Sequence, residues 1–183
     1  MGVIELDFQQ IFDTYQPRIL GYLVGLVGEA EAEDLAQEVF VKVSKALETF
    51  RGESQLSTWI YRIATNTAID KMRTADYRQG NEARILDEID EIELIDVWSG
   101  EETPSLEQQL MKKEMYRCFL DYVKRLPPNY RTVVVLSEVE QIPDQEIAEI
   151  MGVSLEVVKV RLHRGRIRLI EELKAHCKAE DWL

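Results

Sequence analysis

The chain is poor in the residues that would make it disulfide-stapled, membrane-spanning or β-structured. Only two cysteines occur, Cys118 and Cys177, with no CxxC spacing, which excludes a disulfide framework and a cysteine-rich zinc site. No stretch approaches the ~18 unbroken apolar residues of a membrane span. The N-terminal MGVIELDFQQ lacks the basic region and apolar core of a signal peptide, so the expectation is a cytoplasmic protein with no direct membrane insertion. Five prolines and nine glycines in 183 residues leave few turns, and no strand-like alternation competes with apolar spacings of three and four. A catalytic constellation is missing too: no nucleophile, metal set or phosphate loop stands out. The expectation is therefore no catalysis, no cofactor and no metal, with weak metal binding by the pair His176-Cys177 left as a minor alternative.

Basic residues are also short, 22 Lys+Arg against 34 Asp+Glu, for a net charge of −12. Taken as a whole, such a chain is repelled by DNA, because duplex binding depends on neutralising phosphates. The average conceals a segregation. Residues 80–110 hold ten acids and one base, Arg84, a net of −9, whereas residues 159–168 hold five bases and no acid. Charge sorted in this way assigns different tasks to different segments.

The apolar periodicity predicts helices over about 5–27, 31–49 and 55–78, then 106–126, 129–140, 144–151 and 155–178, with Pro127-Pro128 as a stop. Gly100 and Thr103-Pro104 mark the acidic stretch as mostly linker. The predicted architecture is all-α: two small helical bundles, residues 1–79 and 111–183, joined by an acidic linker over 80–110.

Asp144 and Ser154 stand where N-caps belong, with Glu146 and Glu156 favourably placed in the following first turns. Only Met151-Gly152-Val153 separates the two helices. Gly152 supplies a positive φ and Ala148 allows close crossing, the pattern of a helix-turn-helix. On the second helix Val158, Leu162, Gly165 and Leu169 form one inward stripe. Glu156, Lys159, Val160, His163 and Arg164 fall opposite, flanked by Arg161 and Arg168 on one side and Arg166 on the other. A helix lying in a major groove needs that layout, flanking bases for phosphates and outward N-terminal residues for base edges. The alternative is a solvated basic helix packed on a bundle.

Along the helix after residue 55, Ile60, Ile63, Ala64 and Thr67 share a core face, while Trp59, Arg62, Asn66, Asp70 and Arg73 collect on the other side. Aromatic faces accept unstacked bases and guanidinium groups hold phosphates. Tyr61 and Phe50, beside the loop FRGESQLST, add aromatic surface; alternatively Trp59 and Tyr61 complete a core. In the preceding helix Leu35, Ala36, Val39, Phe40, Val43 and Leu47 turn inward. They leave Asp34, Gln37, Glu38, Val41 and Lys45 outward, a set that suits a protein partner or simply water.

Four segments together, AEDLAQEVFVKV (32–43), FRGESQLSTWIYRIATNTAIDKMR (50–73), LPPNYRTVVVL (126–136) and IPDQEIAEIMGVSLEVVKVRLHRGRIRL (142–169), resemble the extracytoplasmic-function (ECF) sigma factors of bacterial RNA polymerase. The resemblance implies a sigma-2 domain followed by a sigma-4 domain, and three partners: core RNA polymerase, promoter DNA and an anti-sigma factor. It implies that Asp34, Gln37, Glu38 and Val41 meet the polymerase clamp helices. It also implies that Phe50, Arg51, Trp59, Tyr61, Arg62, Asn66, Asp70 and Arg73 read and melt the minus-10 element. Ser154, Glu156, Lys159, Val160, Arg161, His163, Arg164, Arg166 and Arg168 would read the minus-35 element. The family's dense basic run after Asp70 is diluted here by Met72, Thr74, Ala75 and Asp76, leaving Lys71, Arg73 and Arg78, which implies fewer phosphate contacts. Two readings of other classes remain open from the residues alone: a free-standing helix-turn-helix repressor or activator, and a nucleic-acid-processing enzyme, the latter disfavoured by the missing catalytic groups.

Overall fold

Asp7 opens the first helix by accepting a hydrogen bond from the Gln9 amide at 2.9 Å, which satisfies one of the orphan donors of the first turn. Helix α1 then runs Phe8–Val27. Gly28, at φ 90°, both ends α1 through its amide on the Val24 carbonyl and precedes α2, Glu29–Ala46. A short 3-10 turn, Leu47–Thr49, leads to the loop before α3, Leu56–Arg78. The computed structural model describes residues 7–78 and 118–176. The expected acidic linker at 80–110, the side chains of Arg78 and His176, and Cys177 lie outside the described residues.

The description resumes in helix α4, residues 118–123, and the chain turns at Leu126 before Pro127-Pro128. Pro128 takes the first position of α5, Pro128–Val134, where its missing N–H costs nothing. The helix expected over 129–140 changes register midway. Residues Val135–Val139 form a π turn, the Glu140 amide reaching back to the Val135 carbonyl. The turn closes with the Ile142 amide on the Leu136 carbonyl and Gln141 at φ 55°, a left-handed position usually held by glycine or asparagine. Helix α6 covers Asp144–Met151 and α7 Leu155–His176. No strand occurs among the described residues.

Asp144 is not the cap expected of it. It lies inside the first turn, Pro143 occupies the capping position, and no side chain caps this helix. Proline's fixed φ already sets the entry angle, and Asp144 still opposes the positive end of the helix dipole. Ser154 does cap α7, accepting from the Val157 amide at 3.3 Å.

Ile19, Leu23 and Leu26 of α1, Leu35, Val39 and Val43 of α2, and Ile60, Ala64 and Ala68 of α3 fill the N-terminal bundle. Val133, Val134 and Leu136 meet Ile147, Ile150, Val158, Leu162 and Leu169 in the C-terminal one. These two cores are continuous, forming one apolar cluster. A Cβ added at Gly25 of α1 would come to 3.0 Å from Val135 Cγ1 and 3.9 Å from Leu120 Cδ2, so α1 rests directly on the C-terminal bundle.

Arg131 fastens the junction. Its Nη1 donates to the Leu26 carbonyl at 2.8 Å and lies 3.2 Å from Met72 Sδ. Its Nε and Nη2 donate to the Leu126 carbonyl at 3.2 and 3.0 Å, and Nη2 also to the Lys124 carbonyl. A partly buried guanidinium needs such partners, because an unpaired one costs several kcal/mol, ~3 or more.

Candidate nucleic-acid and protein interfaces

The turn between α6 and α7 is built as its residues demand. Gly152 sits at φ 65°, ψ 36°, and both its amide and that of Val153 return to the Ala148 carbonyl, while Ala148 is buried at the crossing. Gly165 lets α7 lie close on α5, since a Cβ there would stand 2.8 Å from Val134 Cγ2. Val158, Leu162, Gly165 and Leu169 all point inward, so rotation of α7 about its axis is fixed by packing.

That rotation exposes Glu156, Val157, Lys159 and Val160, with Val157 at 36% and Val160 at 43% exposure. Glu156 is held below the ordinary carboxylate value by a backbone amide, the Ser154 hydroxyl and nearby Lys159. Arg161, His163 and Arg164 are half-buried, and Nε2 of His163 is enclosed without a partner. Arg166 and Arg168 are exposed but engaged. Arg166 donates through Nε and Nη2 to Glu138 Oε1 at 2.8 and 2.6 Å, and the Arg168 guanidinium lies 5.0 Å from the Tyr130 ring centre.

On α3, Arg62, Asn66, Asp70 and Arg73 are exposed. Trp59 is half-buried, its ring 5.0 Å from that of Phe50 and tilted 48° to it, and Arg51 is exposed beside them. Tyr61 departs from the expected DNA-facing set: it is 1% exposed. Its ring packs edge-on against Tyr22 at 5.2 Å, and its hydroxyl donates to Glu140 Oε2 at 2.5 Å. Burial first, then donation to Glu140, raises its pKa far above the ordinary tyrosine value; burial likewise raises that of Tyr22, whose hydroxyl bonds Thr65 at 2.8 Å. The face of α2 is as the periodicity requires: Asp34, Gln37 and Glu38 are exposed, and Val41 is 51% exposed.

A basic helix behind a tight turn, a mixed aromatic and polar helix, and an acidic face with one bare valine therefore coexist on one chain. The family model for sigma-70 region 2 matches residues 11–78, and that for sigma-70 region 4 matches residues 116–169. The ECF RNA polymerase sigma-E factor of Haemophilus influenzae is 31% identical over 159 residues, 87% of this chain and 83% of that one. The chain belongs to the ECF sigma factors. It is accordingly a promoter-specificity subunit that partners core RNA polymerase and promoter DNA in transcription initiation. The sigma factor SigW of Bacillus subtilis is 33% identical to this sigma factor over 173 residues, 91% of this chain and 89% of that one. Among solved structures, the sigma factor RpoE bound to the anti-sigma factor NepR from Bartonella quintana shares the fold at TM-score 0.63 and 22% identity, covering 93% of this chain and 98% of that one.

No helix among the described residues of this sigma factor is long and apolar enough to cross a membrane. None of its described His, Cys, Asp and Glu residues gather into a group of three that could hold a metal. Sequence reasoning missed three contributors: Arg131, Glu140 and the exposed Val157. Arg131 carried a signal, a lone charge inside the apolar run PPNYRTVVVL. Glu140 carried none, because its partner lies 79 residues away.

Proposed function

We propose that the chain acts in three places at once, with residues 1–79 as the sigma-2 domain, 80–110 as linker and 111–183 as the sigma-4 domain. The face of α2 formed by Asp34, Gln37, Glu38 and Val41 docks on polymerase: it is too acidic for DNA, and its exposed valine is the kind of apolar atom a protein groove covers. The Phe50–Trp59 pair, with Arg51, Arg62, Asn66, Asp70 and Arg73, takes the opened minus-10 strand. Trapping an unstacked base shifts the melting equilibrium without any catalytic group, so the protein works as a non-enzymatic factor, in the cytoplasm where its polymerase works. Lys159 and Val160, with Glu156 and Val157 beside them, read base edges of the minus-35 element, while Arg166 and Arg168 chiefly brace α7. The relative bound to NepR, and a second of the same fold, CnrH bound to the cytosolic domain of CnrY, support an anti-sigma protein as the regulator.

The observation that carries this reading is the exposed Lys159–Val160 edge of α7, fixed in rotation by a buried stripe behind a left-handed glycine turn. Run-off transcription with purified core polymerase tests it. Initiation at a defined promoter only when both are present is the expected result; operator binding by the chain alone, with no core-dependent initiation, refutes it and favours a free-standing regulator.

A further inference from the structure

The leading turn of α7 carries a charge that DNA repels. Glu156 is exposed, and its own backbone amide, the Ser154 hydroxyl and Lys159 hold its carboxyl below the ordinary value, so it meets DNA as an anion. Ser154 is itself fixed, accepting from the Val157 amide at 3.3 Å. The buried stripe of Val158, Leu162, Gly165 and Leu169 sets the direction in which Glu156 projects. At 3.6 residues per turn, Val160 stands about 170° and Glu156 about 150° from the middle of that stripe, with Lys159 and Val157 at about 90° and 110° on either side. The outermost pair on this edge is thus a carboxylate and, one turn on, an apolar side chain that is 43% exposed. Neither can hold a phosphate.

Base edges are what remains for them. An ionised carboxylate only accepts hydrogen bonds. In the major groove guanine offers it the acceptors N7 and O6 and thymine the acceptor O4, all repulsive; donors come from the N4 amine of cytosine and the N6 amine of adenine. Adenine sets its acceptor N7 beside that amine, an arrangement that suits an amide, which donates as well as accepts, whereas cytosine presents its amine alone. Glu156 has nothing with which to satisfy N7. Val160 has no polar atom, and the apolar group that the groove offers is the thymine methyl. From Glu156 to Val160 the helix rises ~6 Å, one to two base-pair steps of ~3.4 Å.

We propose that Glu156 selects a cytosine in the minus-35 element through its N4 amine, and that Val160 selects a thymine one or two base pairs away through its methyl group. The proposal rests on α7 being the minus-35 reader and names the bases it reads. The anion makes the choice partly one of rejection, since its repulsion by the DNA backbone acts at every sequence and is offset only where the amine is present.

The test is binding of the holoenzyme, full chain plus core polymerase, to a duplex library randomised across the minus-35 region, with the bound fraction sequenced. The wild type is compared with Glu156→Gln, Glu156→Ala and Val160→Ala, all at exposed positions, and thermal melting monitors folding. The wild type should enrich cytosine over each other base by ~5-fold or more at one position. Glu156→Gln should move that preference to adenine, because glutamine pairs with N6 and N7 together, a change that no folding defect produces. Glu156→Ala should flatten that position and leave the rest of the profile intact. Deoxyuridine in place of the selected thymine should weaken wild-type binding by ~3–4-fold, the worth of one buried methyl group, and leave Val160→Ala indifferent.

A Glu156→Ala holoenzyme that binds every sequence more tightly with an unchanged profile overturns the cytosine contact, because Glu156 is then a repulsive charge and nothing more. Equal wild-type binding to thymine and deoxyuridine overturns the Val160 contact. A wild type with no preference anywhere in the randomised region overturns the assignment of α7 as the reader, a result distinct from both.

Discussion

Replacing Lys159 and Arg166 by alanine, one at a time, separates groove contact from bracing along a single helix. Both side chains are exposed, but Arg166 grips Glu138 with two donors at 2.8 and 2.6 Å, while Lys159 stands on the bare edge beside Val160. An exposed ion pair is worth only ~0–1 kcal/mol, so Arg166 is not locked by energy alone. Moving it to a phosphate, however, would leave the Glu138 carboxylate unpaired beside the DNA backbone, and that repulsion cancels most of the gain. The readout is the salt dependence of holoenzyme binding to a duplex carrying the minus-35 element. Each phosphate neutralised contributes ~0.9 to the slope of log affinity on log salt, about 3.5-fold between 50 and 200 mM. Arg166→Ala should leave the slope unchanged and lower the melting temperature of the free protein by ~1–4 °C, the equivalent of a lost brace. Lys159→Ala should cost ~1–3 kcal/mol on the preferred sequence and little on scrambled DNA if it reads a base. A slope that drops by ~0.9 with Arg166→Ala while the melting temperature holds refutes the bracing argument. A uniform loss with Lys159→Ala makes it a phosphate contact instead.

Trp59→Ala should impair promoter opening, followed by permanganate reactivity, far more than it weakens polymerase binding; equal loss of both means that the ring only completes the core. Gln141 and Gly152 both adopt left-handed backbone, which costs a non-glycine residue roughly 1–2 kcal/mol, so Gln141→Gly should stabilise and Gly152→Ala destabilise the chain, each by about 1 kcal/mol in denaturant titration. Tyr22 and Tyr61 are raised above the ordinary value of 10.0 by burial, so the unfolded chain loses these protons first. Their contribution is whole below pH 10 and fades above it, and ultraviolet titration should show two of the seven tyrosines ionising only as the protein unfolds at high pH.

The all-α character and the inward stripe of α7 were legible because each depends on spacing within one helix: Val158, Leu162, Gly165 and Leu169 repeat at the period that buries them. Gly152 was legible because few residues accept its φ. The π turn at Val135–Val139 was not, since a valine-rich run reads alike at either register. Tyr61 shows the general limit. Its own helix offered two outward sides, and which one meets water is decided by Glu140 and α6, far along the chain. The closeness of the domains escaped for the same reason. A helical wheel treats a polar residue as outward, yet Thr58 and Tyr61 are buried because another segment brings carboxylates to them.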